Sequence, residues 1–296
     1  MITGQNHSAC RLCGSRSVGA RSRPRELMFG TRRTFDYFRC ADCGCLQLNE
    51  VPADLAEFYP PNYYSFQQTP ARPANWPERF KRRWFHPAMT RHILQRNHLT
   101  GHLLCHLVAH PPVPGWLRFL VRPLKFDDAV LDVGCGEGGN LLMMRDAGFT
   151  NLQGVDPFIA RSLCHEGGVR VDKCELSAVR EKFDLIMFHH VFEHLVAPLD
   201  TLKQARQRLA PGGQMLIRIP LADSFAAQKY GEHWVQLDAP RHIALPTRKA
   251  MEQAARQSGL KITRVVYDSN EFQFWASEQY RRDIPLFDAR SDHAHP

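Results

Sequence analysis

Two cysteine pairs are the first residues in the chain that can do chemistry. Cys10-x2-Cys13 and Cys40-x2-Cys43 are separated by 26 residues, and each pair runs into a glycine, Gly14 or Gly44. Thiolates at this spacing suit a four-cysteine structural zinc site, where the glycine lets backbone N–H groups turn toward sulfur. Cys45 is a substitute ligand. Disulfides are the competing use of such pairs, and a reducing compartment disfavours them.

A second constellation is AVLDVGCGEGGNLL, at 129–142. An apolar run delivers the chain into Gly134, Cys135, Gly136, Glu137 and Gly138, and an amphipathic stretch follows at once. Glycines there allow a tight turn and bring backbone close to a ligand without interference from a Cβ. Eighteen residues past Gly138, Asp156 ends the apolar run LQGV. A carboxylate in that place accepts hydrogen bonds from both hydroxyls of a ribose. The loop alone also suits a nicotinamide dinucleotide. Three features point elsewhere: Asp132 inside the run before the glycines, the polar cluster in FDLIMFHHVFEHL (183–195), and the stop, turn and strand of APGGQMLIRIP (210–220).

The third is GEHWVQLDAPRHIALPT, at 231–247, which concentrates His233, Trp234, Asp238, Arg241 and His242 among loop residues. His242 with Asp238 would make a general base and its orienter, Arg241 would grip a phosphate or carboxylate, and Trp234 would pack on a ring. The plainer alternative puts Trp234 in a core and pairs Asp238 with Arg241 structurally. His190, Glu193 and His194 share a helical face, so they are a further candidate metal set, against which the favoured role of the Glu-His pair is to shape a ligand pocket.

These residues need elements to position them. Beyond residue 128, apolar runs alternate with amphipathic stretches, the pattern of βαβ units and a parallel sheet. The pattern predicts strands over 129–133, 152–155, 169–171, 183–188, 214–219, 261–268 and 272–277. Helices are predicted over 140–147, 157–165, 198–209 and 247–258. The last two strands would form a hairpin, which makes a terminal strand antiparallel. Before them, 1–66 reads as a zinc-ribbon-like module and 67–126 as a helical connector or lid, with helices over 76–85 and 90–110. The cofactor domain spans 127–280, and the polar stretch 281–296 is expected to fray.

In order and spacing, the glycine loop, Asp132, Asp156, HHVFEHL and APGGQMLIRIP resemble the class I S-adenosylmethionine-dependent methyltransferases. The similarity extends to ubiquinone-biosynthesis O-methyltransferases and to enzymes of surface-glycan pathways, and it covers about half the chain. It implies an α/β fold with a Rossmann-like seven-stranded sheet carrying an antiparallel terminal strand. It also implies roles. Gly134, Cys135, Gly136 and Gly138 line the methionine part of S-adenosylmethionine, and Asp132 holds its amino group. Asp156 binds the ribose, Pro157 and Phe158 lie beside the adenine, Cys174 and Glu175 flank its edge, and His189 and His190 close the site. Trp-x3-Asp-x-Pro-Arg-His resembles a segment of polysaccharide-linked methyltransferases. The implied reaction is O-methylation of a sugar, glycan or small-metabolite hydroxyl, with Asp238 and His242 as the catalytic pair.

Composition bounds the partners. The 296 residues are 44% hydrophobic and 23% charged, and carry a formal charge of +8. No apolar run approaches the roughly 20 residues of a membrane span, and the first residues lack an apolar leader, so a cytoplasmic location is expected. A basic surface favours acidic partners. The arginines around the cysteine pairs keep a zinc-bearing RNA methyltransferase open. WPERFKRRWF, at 76–85, offers peripheral contact with an anionic membrane. A non-catalytic zinc adaptor is the reading from another class, and the oligomeric state stays open.

Overall fold

Short apolar runs bounded by glycine, proline and aspartate become strands in this chain, and apolar residues three and four apart become helices. The computed structural model describes residues 9–60, 80–95, 99–107 and 113–293. In chain order the strands are β1 (Val18–Ser22), β2 (Tyr37–Cys40), β3 (Leu46–Leu48), β4 (Val130–Val133) and β5 (Leu152–Val155). They continue with β6 (Leu163–Cys164), β7 (Arg170–Asp172), β8 (Phe183–His189), β9 (Leu209–Arg218) and β10 (Ala244–Leu245). The α-helices are α1 (His86–Gln95), α2 (Leu99–Leu107), α3 (Gly139–Asp146), α4 (Pro198–Arg208), α5 (Phe225–Tyr230), α6 (Arg248–Gln257) and α7 (Phe272–Arg281). The chain divides into two units. One comprises Met1–Pro60, His190–Arg206 and Arg218–Pro296; the other comprises Pro61–His189 and Gln207–Ile217.

The second unit is α/β and Rossmann-like. Its sheet runs β6-β7-β5-β4-β8-β9. The pairs β4:β5, β4:β8 and β5:β7 are parallel, and β6:β7 is antiparallel. Leu131, Leu185, Ile186 and Phe188 are fully buried, as strands covered on both faces require. Val130, Leu141, Met144, Phe149, Leu152, Val171 and Met187 pack into one core with Trp116 and Leu117. The chain builds outward from β4 to β7 and then returns to the other side at β8. A sheet that reverses direction this way opens a crevice at the carboxyl ends of the strands beside the reversal.

Several sequence expectations are corrected here. Among the described residues the sheet has six strands where seven were expected, and its antiparallel strand lies on the β6 edge. The predicted helix over 157–165 is a turn leading into β6. Gly167 and Gly168 both take left-handed φ, +86° and +82°, and fold 163–171 back as a hairpin. The predicted strand over 261–268 makes no ladder, and its Val265, Val266 and Tyr267 are exposed. The predicted strand over 272–277 lies within α7, where Ala276, Ser277 and Tyr280 are buried at helical spacing. Asn270 Oδ1 accepts from the Phe272 amide at its start.

In the first unit, β1, β2, β3 and β10 form a four-stranded sheet, antiparallel throughout. Tyr37, Leu48, Phe58, Trp234, Leu237, Ile243 and Leu245 fill its core. Trp234 is therefore a packing residue, with Nε1 donating to Gln273 Oε1 at 3.4 Å. Of the stretch expected to fray, residues 281–293 are described and are held in place. The Leu286 amide donates to Leu27 O at 2.9 Å, Gln279 Nε2 donates to Ser291 Oγ at 2.9 Å, and Ser291 is fully buried. Of the connector, a π-helical turn at Lys81–Phe85 leads into α1, with Phe80 and Trp84 exposed. Residues 61–79, 96–98 and 108–112 lie outside the described residues, and with them parts of both predicted connector helices. No helix among the described residues is long and apolar enough to cross a membrane.

Candidate functional site

Strand register gathers the expected cofactor residues. Val133 is level with Val155 on one side and Phe188 on the other, and Val155 is level with Asp172. The next residues along these parallel strands are Gly134, Asp156, His189 and Lys173, so they line the carboxyl end of the sheet. Gly134 donates to Val155 O at 2.8 Å as the chain turns. Gly138 has φ +91°, and a Cβ there would meet Val171 Cγ2 at 2.9 Å, so only glycine fits the start of α3. Cys135 lies over Gly154, filling the space a side chain there would need.

Two carboxylates flank this loop. Asp156 accepts from the Gly136 amide at 2.9 Å and from the Phe158 amide at 2.8 Å, one bond to each oxygen. Each oxygen keeps a further lone pair for a ligand hydroxyl. Phe158 is 79% exposed beside it and offers a flat apolar face. Asp132 is 1% exposed, and its Oδ2 has no hydrogen-bond partner in the protein. Burial pushes this carboxyl up to about 8, opposed by a hydrogen bond from Asn140 and aided by the charge of Asp156. A buried carboxylate oxygen without a partner next to a loop bare of side chains fits a cationic group of a ligand. Pro157 is half-buried, Cys174 is half-buried with its amide on Asp172 O at 2.9 Å, and Glu175 is exposed. The His189 ring packs on Trp116, centroids 4.6 Å apart.

His190 belongs to the other unit, as do the remaining polar residues. Its φ is +53°, and its Nδ1 lies 3.5 Å from Glu193 Oε1. The short turn Phe192–His194 places Glu193, fully buried, with neither oxygen hydrogen-bonded in the protein. Burial would raise its carboxyl, but His190, His242 and His194 outweigh that and hold it below the usual range. Glu193, His194 and His242 bring ligand atoms within 4.8 Å of one another. The third member of this group is His242, where the sequence pointed to His190.

The loop before α6 is clamped around them. Tyr37 Oη donates to His242 O at 2.7 Å, the Ile243 amide donates to Glu193 O at 2.8 Å, and β10 pairs with β3. His242 Nδ1–H donates to Gln236 O at 2.7 Å, and its Nε2 stands 3.9 Å from Asp238 Oδ2, beyond hydrogen-bond reach. Burial, then His194, push His242 down to about 4. His194 Nδ1–H donates to Arg241 O at 2.9 Å, with the Tyr59 hydroxyl 3.2 Å from the same nitrogen. The two rings are 4.7 Å apart.

Asp238 is committed to Arg241. The guanidinium meets both oxygens of Asp238 at 2.5–3.1 Å, reaches Glu26 Oε1 at 2.9 Å and donates to Phe58 O at 3.0 Å. Arg241 and Glu26 are fully buried, so this cation is internal and unavailable to a ligand. The sequence reading missed Glu26 and Tyr59. A signal for the former was present: Glu26 is the one carboxylate in the first 35 residues, amid arginines.

The four cysteines converge on the ribbon. Cys10 and Cys43 sulfurs are 3.6 Å apart, as are those of Cys13 and Cys40. All four lie within 4.8 Å of one another. Disulfide sulfurs sit about 2.05 Å apart, whereas tetrahedral Zn–S bonds of about 2.3 Å put sulfurs about 3.8 Å apart. Gly14 and Gly44 have φ of +77° and +76°, and their amides donate back to Cys10 O and Cys40 O, both at 2.9 Å. The donor set fits a structural zinc ion.

Comparisons with known proteins cover about half of the chain. A tRNA U34 carboxymethyltransferase of Colwellia psychrerythraea is 30% identical over 157 residues, 46% of this chain and 46% of that protein. A ubiquinone biosynthesis O-methyltransferase of Cereibacter sphaeroides is 32% identical over 143 residues, 42% of this chain and 55% of that protein. The chain thus spans about half the length of the curated relatives it matches. Among solved structures, a cyclopropane synthase of Mycobacterium tuberculosis is 18% identical with a TM-score of 0.38, covering 54% of this chain and 64% of that one. The family model described as a methyltransferase domain matches residues 113–265, more than half of the sequence, and the chain belongs to that family.

Proposed function

We propose that the chain is an S-adenosylmethionine-dependent methyltransferase acting on a hydroxyl of a sugar or small metabolite. The observation that carries the cofactor assignment is Asp132: a buried carboxylate with an unpartnered oxygen, beside a loop of three left-handed glycines whose first, Gly134, follows the residue level with Val155 and so faces Asp156 across the strand ends. When bound, the cofactor supplies a methyl group already activated on a sulfonium, so the protein's task is chiefly alignment. Asp132 would hold the amino group of the methionine part, Asp156 the ribose hydroxyls, and Phe158 one face of the adenine. A hydroxyl acceptor must also lose its proton, and an imidazole of the His194–His242 pair is the base we assign.

Calorimetry with S-adenosylhomocysteine tests the cofactor reading. Wild-type protein should bind it, and Asp132→Asn should weaken binding by about 10- to 100-fold, the loss of a charge-assisted hydrogen bond. The pH dependence has a definite sign. Asp132 is protonated below about pH 8, and a cation binds only after that proton leaves. Affinity should therefore rise between pH 6 and 7.5, by up to about tenfold per unit, with proton release on binding. Wild-type protein that is folded yet binds nothing would remove the proposal.

One relative is named for tRNA and another for ubiquinone biosynthesis. We favour a small hydroxylated acceptor because no sequence motif for RNA accompanies the ribbon. Methyl label from the donor should enter a sugar or phenol fraction; label in RNA instead would select the alternative. The ribbon, on this reading, holds one zinc through Cys10, Cys13, Cys40 and Cys43. Metal analysis of protein purified without added zinc should return about one ion per chain, lost in Cys40→Ser, and a metal-free ribbon would end that assignment.

A further inference from the structure

The helical hairpin of α1 and α2 carries a group of imidazoles that the methyl-transfer reading does not use. The two helices meet so closely at Gly101 that a side chain there would strike Ala88 O. On this hairpin, His102 Nδ1 lies 3.2 Å from His92 Nε2, and His102 Nε2 lies 3.3 Å from His106 Nε2. His102 and His106 are one turn apart on α2 and share a face. Both are exposed.

The Nε2–Nε2 distance is informative. An ion with nitrogen ligands at about 2.1 Å holds two of them about 3.0–3.4 Å apart, across an octahedral or a tetrahedral edge. Two neutral imidazoles reach the same separation only if one keeps a proton between them; two protonated ones repel. The His92 contact then decides the tautomer. If His102 Nδ1–H donates to His92 Nε2, the lone pair of His102 is on Nε2, the atom facing His106. Fixing a ligand's tautomer through its other ring nitrogen is what partners outside the coordination sphere do in metal sites. The surroundings also set the kind of ion. Residues 79–126 contain nine Lys and Arg residues and no Asp or Glu, so hard cations that need carboxylate oxygens find none nearby in sequence.

We propose that His102 and His106 chelate a borderline divalent cation of the zinc or nickel type, with water completing its coordination, and that His92 positions His102 for it. The ion would cross-link one turn of α2, a nine-residue helix too short to be stable by itself. The test uses the full-length protein with its ribbon cysteines already loaded with zinc, titrated calorimetrically with Ni2+. His102→Ala and His106→Ala should each weaken the nickel site at least tenfold, with an unchanged far-ultraviolet spectrum, because both side chains are exposed. His92→Ala should weaken it about 10-fold through loss of orientation alone. In wild type, nickel should also slow amide exchange within α2, a readout that binding elsewhere would not move. Nickel binding of equal affinity in His106→Ala, or none in wild type, overturns the site. An unchanged affinity in His92→Ala overturns its positioning role.

Discussion

His194→Ala is expected to lower methyl transfer by 10²- to 10⁴-fold, the usual contribution of a positioned general base, while leaving S-adenosylhomocysteine affinity near the wild-type value. The reasoning starts from tautomers. His194 Nδ1–H is spent on Arg241 O, so the ring's free lone pair is on Nε2. The fully buried Glu193 carboxylate stands in the same group. His242 has the same arrangement, with Nδ1–H on Gln236 O, but it is 6% exposed and burial holds it near 4, a weak base at neutral pH. His242→Ala should therefore cost less than His194→Ala, and Glu193→Gln should lower turnover without moving cofactor affinity. Single-turnover kinetics on the three variants decides the order. If His242→Ala is the most damaged and His194→Ala transfers methyl at the wild-type rate, the proton goes to His242.

The parts of this molecule that were legible in its sequence are those fixed by local pattern. Runs such as Val130–Val133 and Phe183–His189 are apolar, short and ended by glycine or a polar cluster, so strand, turn and edge could be read directly. The cysteine pairs were legible because sulfur spacing and a following glycine define their knuckles. What failed was decided at long range. KITRVVYD has strand composition, but no neighbouring strand takes up its backbone, and composition does not reveal a missing partner. FQFWAS contains an alternation that mimics a strand, yet Ala276 and Tyr280, four residues apart, are what the fold buries. The pairing of Asp238 with His242 failed for the same reason. Asp238 is four residues from His242, but a cation three residues away claims it, with a second carboxylate 212 positions earlier in the chain, Glu26, completing the pair. Charge competition across such a distance leaves no trace in spacing.

That buried network sets the largest stability effect expected in the protein. Arg241→Met keeps most of the side-chain volume and removes the charge, leaving Glu26 and Asp238 buried without their cation. Breaking a buried pair in this way costs about 3–5 kcal/mol. Part of that cost is avoidable, since Arg241→Met combined with Glu26→Gln and Asp238→Asn removes all three charges and should recover much of it. The pH profile separates this cause from simple loss of packing. Burial would raise the Asp238 carboxyl, but Arg241 outweighs burial and holds it below the usual range in the wild type. The stability this contributes is present above the unfolded carboxylate range and is lost as pH falls through the depressed value. In Arg241→Met the same carboxyl loses that support, so acid relieves the variant by protonating it. Urea unfolding curves of the two proteins should lie far apart at pH 7 and converge toward pH 4. A gap that stays constant over that range would mean that Arg241 acts through its volume. Because Arg241 O also accepts from His194, turnover should fall in the variant and return in the triple replacement only as far as the loop regains its place.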